Sequence, residues 1–486
     1  MSDPSFISLL PVFVTLCVSL SFGNVLIGLF SGVVFGVLLL HSVSPLLFLP
    51  LVIQEYLVPE IADSYNASII ILLCFIGGFV KLIHYSGGGI AFASVTMRYI
   101  TNRASAQISA WMGGILIFFS DLGTPLIVGP VFQSLFDRYQ ISRQKLAFII
   151  DSTSSPIAIL IPFIGWGVFT MSVIRDSFLV SKISLNEWDV FVAAIPYQFY
   201  AILAISIVPM LAMLNFDFGA MRTSEIKIKR NSQNSSNLEI KDISAMFVWV
   251  PLVILGITLF VVLSYHGFPV KQVAGSDFRA ALSSAYFFAT ITLISLIIYK
   301  GAKKINEIFK VYVDGMSGMM PIAATLVLAW TLGAVSEQLG TGKFVGELAK
   351  ELINPSLLPL LIFLVSAIIS FSVGSSWGTI IIMMPLAIPA ALATGNEYPI
   401  IIGSVLSGAL FGDHSSPISE TTILSSTGAG IEPLSHFRTQ IPYALTNGII
   451  AAMGFLIAGI TSKIWIALIM ILIQLTVICF IKFRQH

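Results

Sequence analysis

The chain has 486 residues, 56% of them hydrophobic and 10% charged, with a formal net charge of +1. A soluble fold of this size leaves too much surface exposed to hide that many apolar side chains, and soluble proteins carry roughly a quarter of their residues charged. A soluble enzyme, a disordered chain and a nucleic-acid binder are excluded, the last because near-neutral charge gives a polyanion no field. What remains is an all-α polytopic membrane protein, with membrane lipid as its surroundings.

The opening stretch, MSDPSFISLL, has no basic region and no small-residue cleavage site before Asn24. It is expected to be a first transmembrane helix rather than a removed signal. About 20 apolar residues span a bilayer core. Runs near that length fall at 5–22, 24–41, 43–59, 67–84, 146–173, 188–214, 244–265, 278–299, 316–339, 398–430, 437–460 and 463–482, which gives about 12 transmembrane helices. Cys17, Cys74 and Cys479 are scattered without CxxC spacing and read as small core residues rather than as disulfides or metal ligands.

Two stretches, 105–137 and 355–394, are too long for one span, and each is interrupted mid-way by Gly and hydroxyl residues. The interruptions read Ser120-Asp121-Leu122-Gly123-Thr124-Pro125 and Ser375-Ser376-Trp377-Gly378-Thr379. Each fits a re-entrant hairpin, which survives at membrane depth only when buried in protein or lining a wet cavity. Gly123 and Gly378 are the expected break points of the hairpins, and Pro156 and Pro417 those of two broken helices.

The polar stretch 215–243 divides the chain. Residues 1–214 hold the N-terminal helices and a first repeat with hairpin 105–137 and broken helix 146–173. Residues 244–486 hold a second repeat with hairpin 355–394 and broken helix 398–430. Placing 215–243 and the C-terminus in the cytoplasm sets 17 Lys/Arg inside, seven outside and one, Lys81, within a span. That satisfies the positive-inside rule. At an offset of 255, Ser120, Gly123, Thr124 and Pro130 align with Ser375, Gly378, Thr379 and Pro385, and after a six-residue shift Ser154-Ser155-Pro156-Ile157 aligns with Ser415-Ser416-Pro417-Ile418. The first hairpin would enter from the cytoplasm and the second from outside. Inverted repeats of this kind mark secondary transporters with a site near the midplane.

Few charged residues lie in the apolar runs, and each costs roughly 2.5–3.5 kcal/mol at mid-bilayer, so persistence there points to an ion path. The densest polar run is Asp413-His414-Ser415-Ser416-Pro417-Ile418-Ser419-Glu420-Thr421-Thr422. A proline break frees backbone carbonyls beside Asp413, Ser415, Ser416 and Thr421, and hard oxygens around a carboxylate suit Na⁺. The competing reading is a kinked helix whose serines satisfy its own carbonyls, which leaves Asp413 and Glu420 unexplained. Asp151, ahead of Ser154 and Ser155, is the first-half counterpart and could equally be a helix-entry carboxylate behind Arg143 and Lys145. Asp121 could favour a cation or cap the half-helix that follows it, whose N-terminus at Thr124 suits an anion; the hydroxyls of Ser154, Ser155, Ser375, Ser376, Thr379, Ser415, Ser416 and Thr421 are expected to complete the ion's coordination shell, and those at the hairpin tips would also suit a carboxylate. Glu337 divides between rim and relay, while Lys81, Glu55 and Asp314 read as interfacial. No Walker loop, HExxH, Cys/His cluster or GxSxG elbow occurs. No cofactor is therefore expected, and an intramembrane enzyme built on Asp413 and His414 is a remote alternative.

The run Gly412-Asp413-His414-Ser415-Ser416-Pro417-Ile418-Ser419-Glu420-Thr421-Thr422-Ile423-Leu424-Ser425-Ser426 resembles the signature of the NhaC family of Na⁺/H⁺ antiporters. The likeness extends over His436-Phe437-Arg438-Thr439-Gln440-Ile441-Pro442-Tyr443-Ala444 and, in the first half, over 126–130 and 141–153. Glu420 departs from the usual Asp, and the first hairpin lacks a second acid and an Asn common among relatives. The resemblance implies an elevator-type transporter of the bacterial inner membrane, exchanging Na⁺ for H⁺, compatible with a homodimer. An exchanger of an organic carboxylate or amino acid coupled to Na⁺ and H⁺ is the alternative, since malate/lactate antiporters sit in the same family. In either case Asp413, helped by Asp151, Asp121 or Glu420, is the expected ion ligand.

Overall fold

A computed structural model describes residues 5–41, 45–88, 100–119, 121, 123–231, 245–268, 275–300 and 304–484. Among them every regular element is a helix. The N-terminal half contains α1 (Leu10–Phe22), α2 (Val25–Leu40), α3 (Ser64–Tyr85), α4 (Arg103–Leu116), α5 (Gly123–Arg138), α6 (Arg143–Ser152), α7 (Gly165–Val180) and α8 (Phe199–Leu214). The stretch expected as a polar linker begins with a helix, α9 (Gly219–Asn231). The second half contains α10 (Met246–Tyr265), α11 (Gly275–Tyr299), α12 (Ile305–Ser317), α13 (Met320–Leu339), α14 (Thr341–Leu352), α15 (Leu358–Val373), α16 (Ser376–Thr394), α17 (Tyr398–His414), α18 (Glu420–Ala429), α19 (Pro433–Thr461) and α20 (Ile466–Arg484).

Eight described helices are long and apolar enough to cross a membrane, or nine if the pair Glu187–Tyr197 and Phe199–Leu214, bent by 46°, is one span. The protein is thus a multi-pass membrane protein. The difference from 12 has local causes. Phe6–Phe22 and Val25–Leu40 are apolar but shorter than a full crossing. The run 43–59, with Pro50 inside, changes to a π-helical turn at Val52–Leu57. The run 146–173, expected as a broken helix, falls below the length of a single crossing because α6 stops at Ser152, a single turn follows at Ser155–Ala158, and α7 starts at Gly165. Cys17 and Cys479 are exposed rather than in the core, and all three cysteines are free.

The chain interrupts itself where polar residues outcompete the helix. In 105–137, α4 ends at Leu116 and α5 opens with Gly123-Thr124-Pro125 in its first turn; Thr124 Oγ1 donates back to Ile117 O at 3.2 Å and closes the tip. Residues 120 and 122 lie outside the described residues. In 355–394 the break falls at Gly374, whose φ of +70° only glycine adopts readily, rather than at Gly378. Ser375 then caps α16, its Oγ accepting from Gly378 N at 3.2 Å, and Thr379 Oγ1 donates to Ser375 O at 2.9 Å. Gly378 is helical, and its missing side chain makes room for Val25.

Each hairpin lies beside a broken helix of its own half, with α4 and α5 against α6, and α15 and α16 against α17. The halves also cross: α5 packs on α18, and α7 packs on α16. The α5–α18 crossing is backbone against backbone, since a Cβ on Gly428 would stand 2.1 Å from Pro125 O and one on Gly129 would stand 2.3 Å from Gly428 O. Gln133 Nε2 donates to the same Gly428 carbonyl at 2.8 Å. Gly428→Ala should therefore push α18 off α5 and lower stability by about 1–3 kcal/mol. Thermal unfolding of the purified protein in detergent checks this, and a melting temperature equal to that of the unaltered protein would contradict the close crossing.

Candidate ion-binding site

Two of the helix breaks meet in the interior. Helix α17 runs without a polar side chain after Ser407 until Asp413 and His414, and its ladder ends with Ser415 N donating to Phe411 O and Ser416 N to Asp413 O. Pro417 has no N–H to continue it. The ladder resumes where Ile423 N donates to Ser419 O. Ser419 occupies the N-cap position of α18, where a serine hydroxyl usually accepts from the first turn. Here it is diverted. Ser419 Oγ donates to Asp413 Oδ1 at 2.8 Å, Thr421 Oγ1 donates to Asp413 Oδ2 at 2.8 Å, and the two hydroxyls lie 2.9 Å apart. Asp413 is 2% exposed. Among the described residues its side-chain hydrogen-bond partners are both hydroxyls.

Asp151, fully buried near the end of α6, has a different shell. Its Oδ1 accepts from Ser425 Oγ at 3.2 Å. Its Oδ2 accepts from Gln440 Nε2 at 2.5 Å and lies 3.4 Å from His436 Nε2. Gln440 Nε2 also donates to His414 O at 3.0 Å, so one amide ties Asp151 to the end of α17. His414 Nδ1 lies 3.4 Å from Tyr200 OH. The break after α6 is padded locally: Thr153 Oγ1 donates to Ile149 O at 2.8 Å and Ser154 Oγ to Asp151 O at 2.9 Å. Around both breaks Ser155 Oγ, His414 Nε2, Ser415 Oγ, Ser416 Oγ, Thr422 Oγ1, His436 Nδ1 and Gln440 Oε1 are buried with no hydrogen-bond partner among the described residues. Buried polar atoms are nearly always satisfied, so these groups call for water, an ion or a substrate as partner.

The other expected residues fall around this centre. Asp121 Oδ2 accepts from Trp166 Nε1 at 2.5 Å, and the Trp166 ring packs on Trp377 at the second tip, 4.5 Å between centroids. Trp166 therefore joins both hairpins. Gly374 touches Ile418, which brings the second tip against the α17–α18 break. Ser376 and Thr379 are buried there, as is Thr124 in the first tip. Glu420 opens α18 with its side chain exposed, outside the Asp413 shell and in electrostatic range of Asp121. Glu55, Lys81 and Asp314 are exposed. Glu337 lines a separate cavity of about 320 Å³ with Glu60, Asp63, Tyr65, Arg175 and Asp176. Burial there pushes the Glu60 carboxyl above its usual range, and the Asp63 charge adds to it.

Ser419, Ser425, His436 and Gln440 stand in the family-like runs without being expected as ligands, and Tyr200 lies outside them. A signal for two of them exists: His436, Gln440, Tyr443 and Asn447 recur every three or four residues and form a buried polar stripe on α19. The same helix anchors a charge network. Lys145, fully buried, donates to Asp217 Oδ1 at 2.5 Å, Tyr443 OH donates to that oxygen at 2.6 Å, and Arg103 pairs with Glu225 of α9.

Broken helices, buried carboxylates and paired hairpin tips are the architecture of a secondary transporter. The sequence profile of the Na⁺/H⁺ antiporter family matches residues 157–460. An uncharacterized protein of Haemophilus influenzae is 30% identical over 475 residues, 93% of this chain and 91% of its own. The chain belongs to the Na⁺/H⁺ antiporter family. The malate-2H⁺/Na⁺-lactate antiporter of Bacillus subtilis is 28% identical over 45% of each chain, and the Na⁺/H⁺ antiporter NhaC of Alkalihalophilus pseudofirmus is 28% identical over 32% of this chain and 33% of its own. In fold the chain is similar to the YdaH transporter of Alcanivorax borkumensis, with a TM-score of 0.60 and 13% identity over 93% of this chain and 98% of that one.

Lys145→Ala would leave Asp217 without its cation in a mostly buried place, a loss of about 3–5 kcal/mol. Melting curves of Lys145→Ala and of the double variant Lys145→Met, Asp217→Leu check this. The single variant should melt well below the unaltered protein, and the double one should recover most of the difference.

Proposed function

We propose that the protein exchanges Na⁺ or Li⁺ for H⁺ across a bacterial inner membrane, with the 215–243 stretch and the C-terminus cytoplasmic. The observation that carries this reading is the Asp413 shell. A carboxylate held only by hydroxyls can trade those donors' hydrogens for a small hard cation, because Ser419 and Thr421 need only rotate to offer lone pairs. The crossed packing of α5 on α18 and α7 on α16 supports inverted repeats, and the site's position between the halves suits an elevator-type movement that carries it across as a unit. Asp121, Glu420 and the second-hairpin hydroxyls at Ser375, Ser376 and Thr379 then line the route to the ion rather than bind it.

A second reading, exchange of an organic carboxylate or amino acid coupled to Na⁺ and H⁺, is favoured by one observation. The buried polar atoms around the breaks outnumber what one Na⁺ can engage. Relatives named for malate and lactate, for arginine and ornithine, and for amino acids are in keeping with it.

Purified protein in vesicles holding a pH dye tests both. Under the first reading, external Na⁺ or Li⁺ without organic solute alkalinises the lumen and K⁺ does not. Silence with Na⁺ alone, followed by flux once a carboxylate or amino acid is added, selects the second. Asp413→Asn should abolish Na⁺-dependent flux in inserted protein. Ser419→Ala and Thr421→Ala should each weaken apparent Na⁺ affinity about tenfold, the size of one lost bond to a charged group.

A further inference from the structure

Resting on the cation reading of Asp413, we infer that the transported proton is held elsewhere, on the Asp151–His436 pair, and that Gln440 makes the two sites answer to each other. The two carboxylates are surrounded by different chemistry. Asp413 has two hydroxyl partners, which become cation ligands by rotating. Asp151 Oδ2 faces two nitrogens, an amide N–H that has no lone pair to offer and an imidazole. A shell of that kind suits a proton.

His436 is fully buried, with Nε2 toward Asp151 and Nδ1 without a partner among the described residues. A neutral imidazole that donates from Nε2 presents a bare lone pair at Nδ1, room for one proton. Taking it up turns a carboxylate–imidazole pair of charge −1 into a neutral one. The proton comes from water and returns to water, and no other bond changes. The groups facing the pair are few: His414 from α17, Tyr200 from α8 and, in electrostatic range, Asp413. Ser425 from α18 and Gln440 from α19 complete the shell, while Lys145, further back on α6, is engaged by Asp217.

Gln440 is the coupling strut, since its Nε2 bonds both Asp151 Oδ2 and the carbonyl of His414, the residue after Asp413. A proton on the pair weakens the carboxylate's hold on that amide. The amide then shifts its bonding toward the end of α17, where the cation shell is built. Loading one site is thereby felt at the other without the two ions sharing an oxygen.

The experiment uses the full chain in vesicles and two readouts. One is exchange of radiolabelled Na⁺ for Na⁺ without a pH gradient; the other is Na⁺-driven proton flux across a range of pH. His436→Gln and, as a second variant in case that one fails to fold, Asp151→Asn should retain saturable Na⁺/Na⁺ exchange, with the apparent Na⁺ affinity shifted because a pair fixed in one charge state acts on the Asp413 shell through Gln440. Their proton flux should fall at least about tenfold and lose its pH dependence. Asp413→Asn should lose both. Unchanged proton flux and pH profile in folded His436→Gln and Asp151→Asn would overturn the inference, as would loss of Na⁺/Na⁺ exchange in both. Absence of Na⁺/Na⁺ exchange in the unaltered protein would overturn the cation reading itself.

Discussion

A helix cannot stop inside an apolar layer unless something satisfies the backbone groups it leaves open. Helices α6 and α17 both stop among buried residues, where the same demand holds, and the interior is arranged around it. At α6 the repair is local, with Thr153 and Ser154 bonding back onto their own turn. At α17 it comes from a distance, because the carbonyl of His414 is met by Gln440 from α19. That amide also holds Asp151, so the patch on one break is the tether to the other. The polar centre is a consequence of stopping two helices in the same place.

Close approach is what allows the two breaks to meet. Small residues stand wherever backbones cross: Gly428 over Pro125, and Gly408 and Gly412 against the carbonyls of Phe363 and Ala367. Bulkier side chains at these positions would hold the hairpins away from the broken helices and open the polar centre to lipid or water. Lipid tails give little hydrophobic drive for one helix to join another, so tight van der Waals contact and buried hydrogen bonds carry the association. Trp166 contributes in the same sense at the hairpin tips, donating to Asp121 while its ring rests on Trp377.

The charges at one end of the fold do a separate task. Lys145 and Arg103 reach Asp217 and Glu225 and bind the start of the 215–243 stretch to α6 and α4. A region whose composition reads as a linker is thereby docked over its first residues. The anchor ends on Tyr443, one turn along α19 from Gln440, so the charge network and the ion site share a helix. Movement of α19 relative to α6 is felt at both.

Much of this was legible in the order of residues. Composition gave a membrane protein, because apolar content has nowhere else to go. The prolines and glycines gave the interruptions within a few residues, because they act on the backbone next to them. Asp413 and Thr421 were readable together, being eight residues apart across one break. Other features were out of reach. The break at Gly374 instead of Gly378 depends on which glycine must take a positive φ, and Gly378 turned out to be needed for Val25. Glu420 is expected beside Asp413 as a further ion-binding carboxylate, and only the packing shows that its side chain is exposed in the first turn of α18. The nitrogen shell of Asp151 comes from a helix nearly 300 residues on, through contacts at separations of 285 and 289. A sequence states which groups a chain carries and where its backbone yields. Only the packing of distant helices decides which of those groups share a solvent-free space, and there the choice between oxygen and nitrogen neighbours sets what a carboxylate can hold.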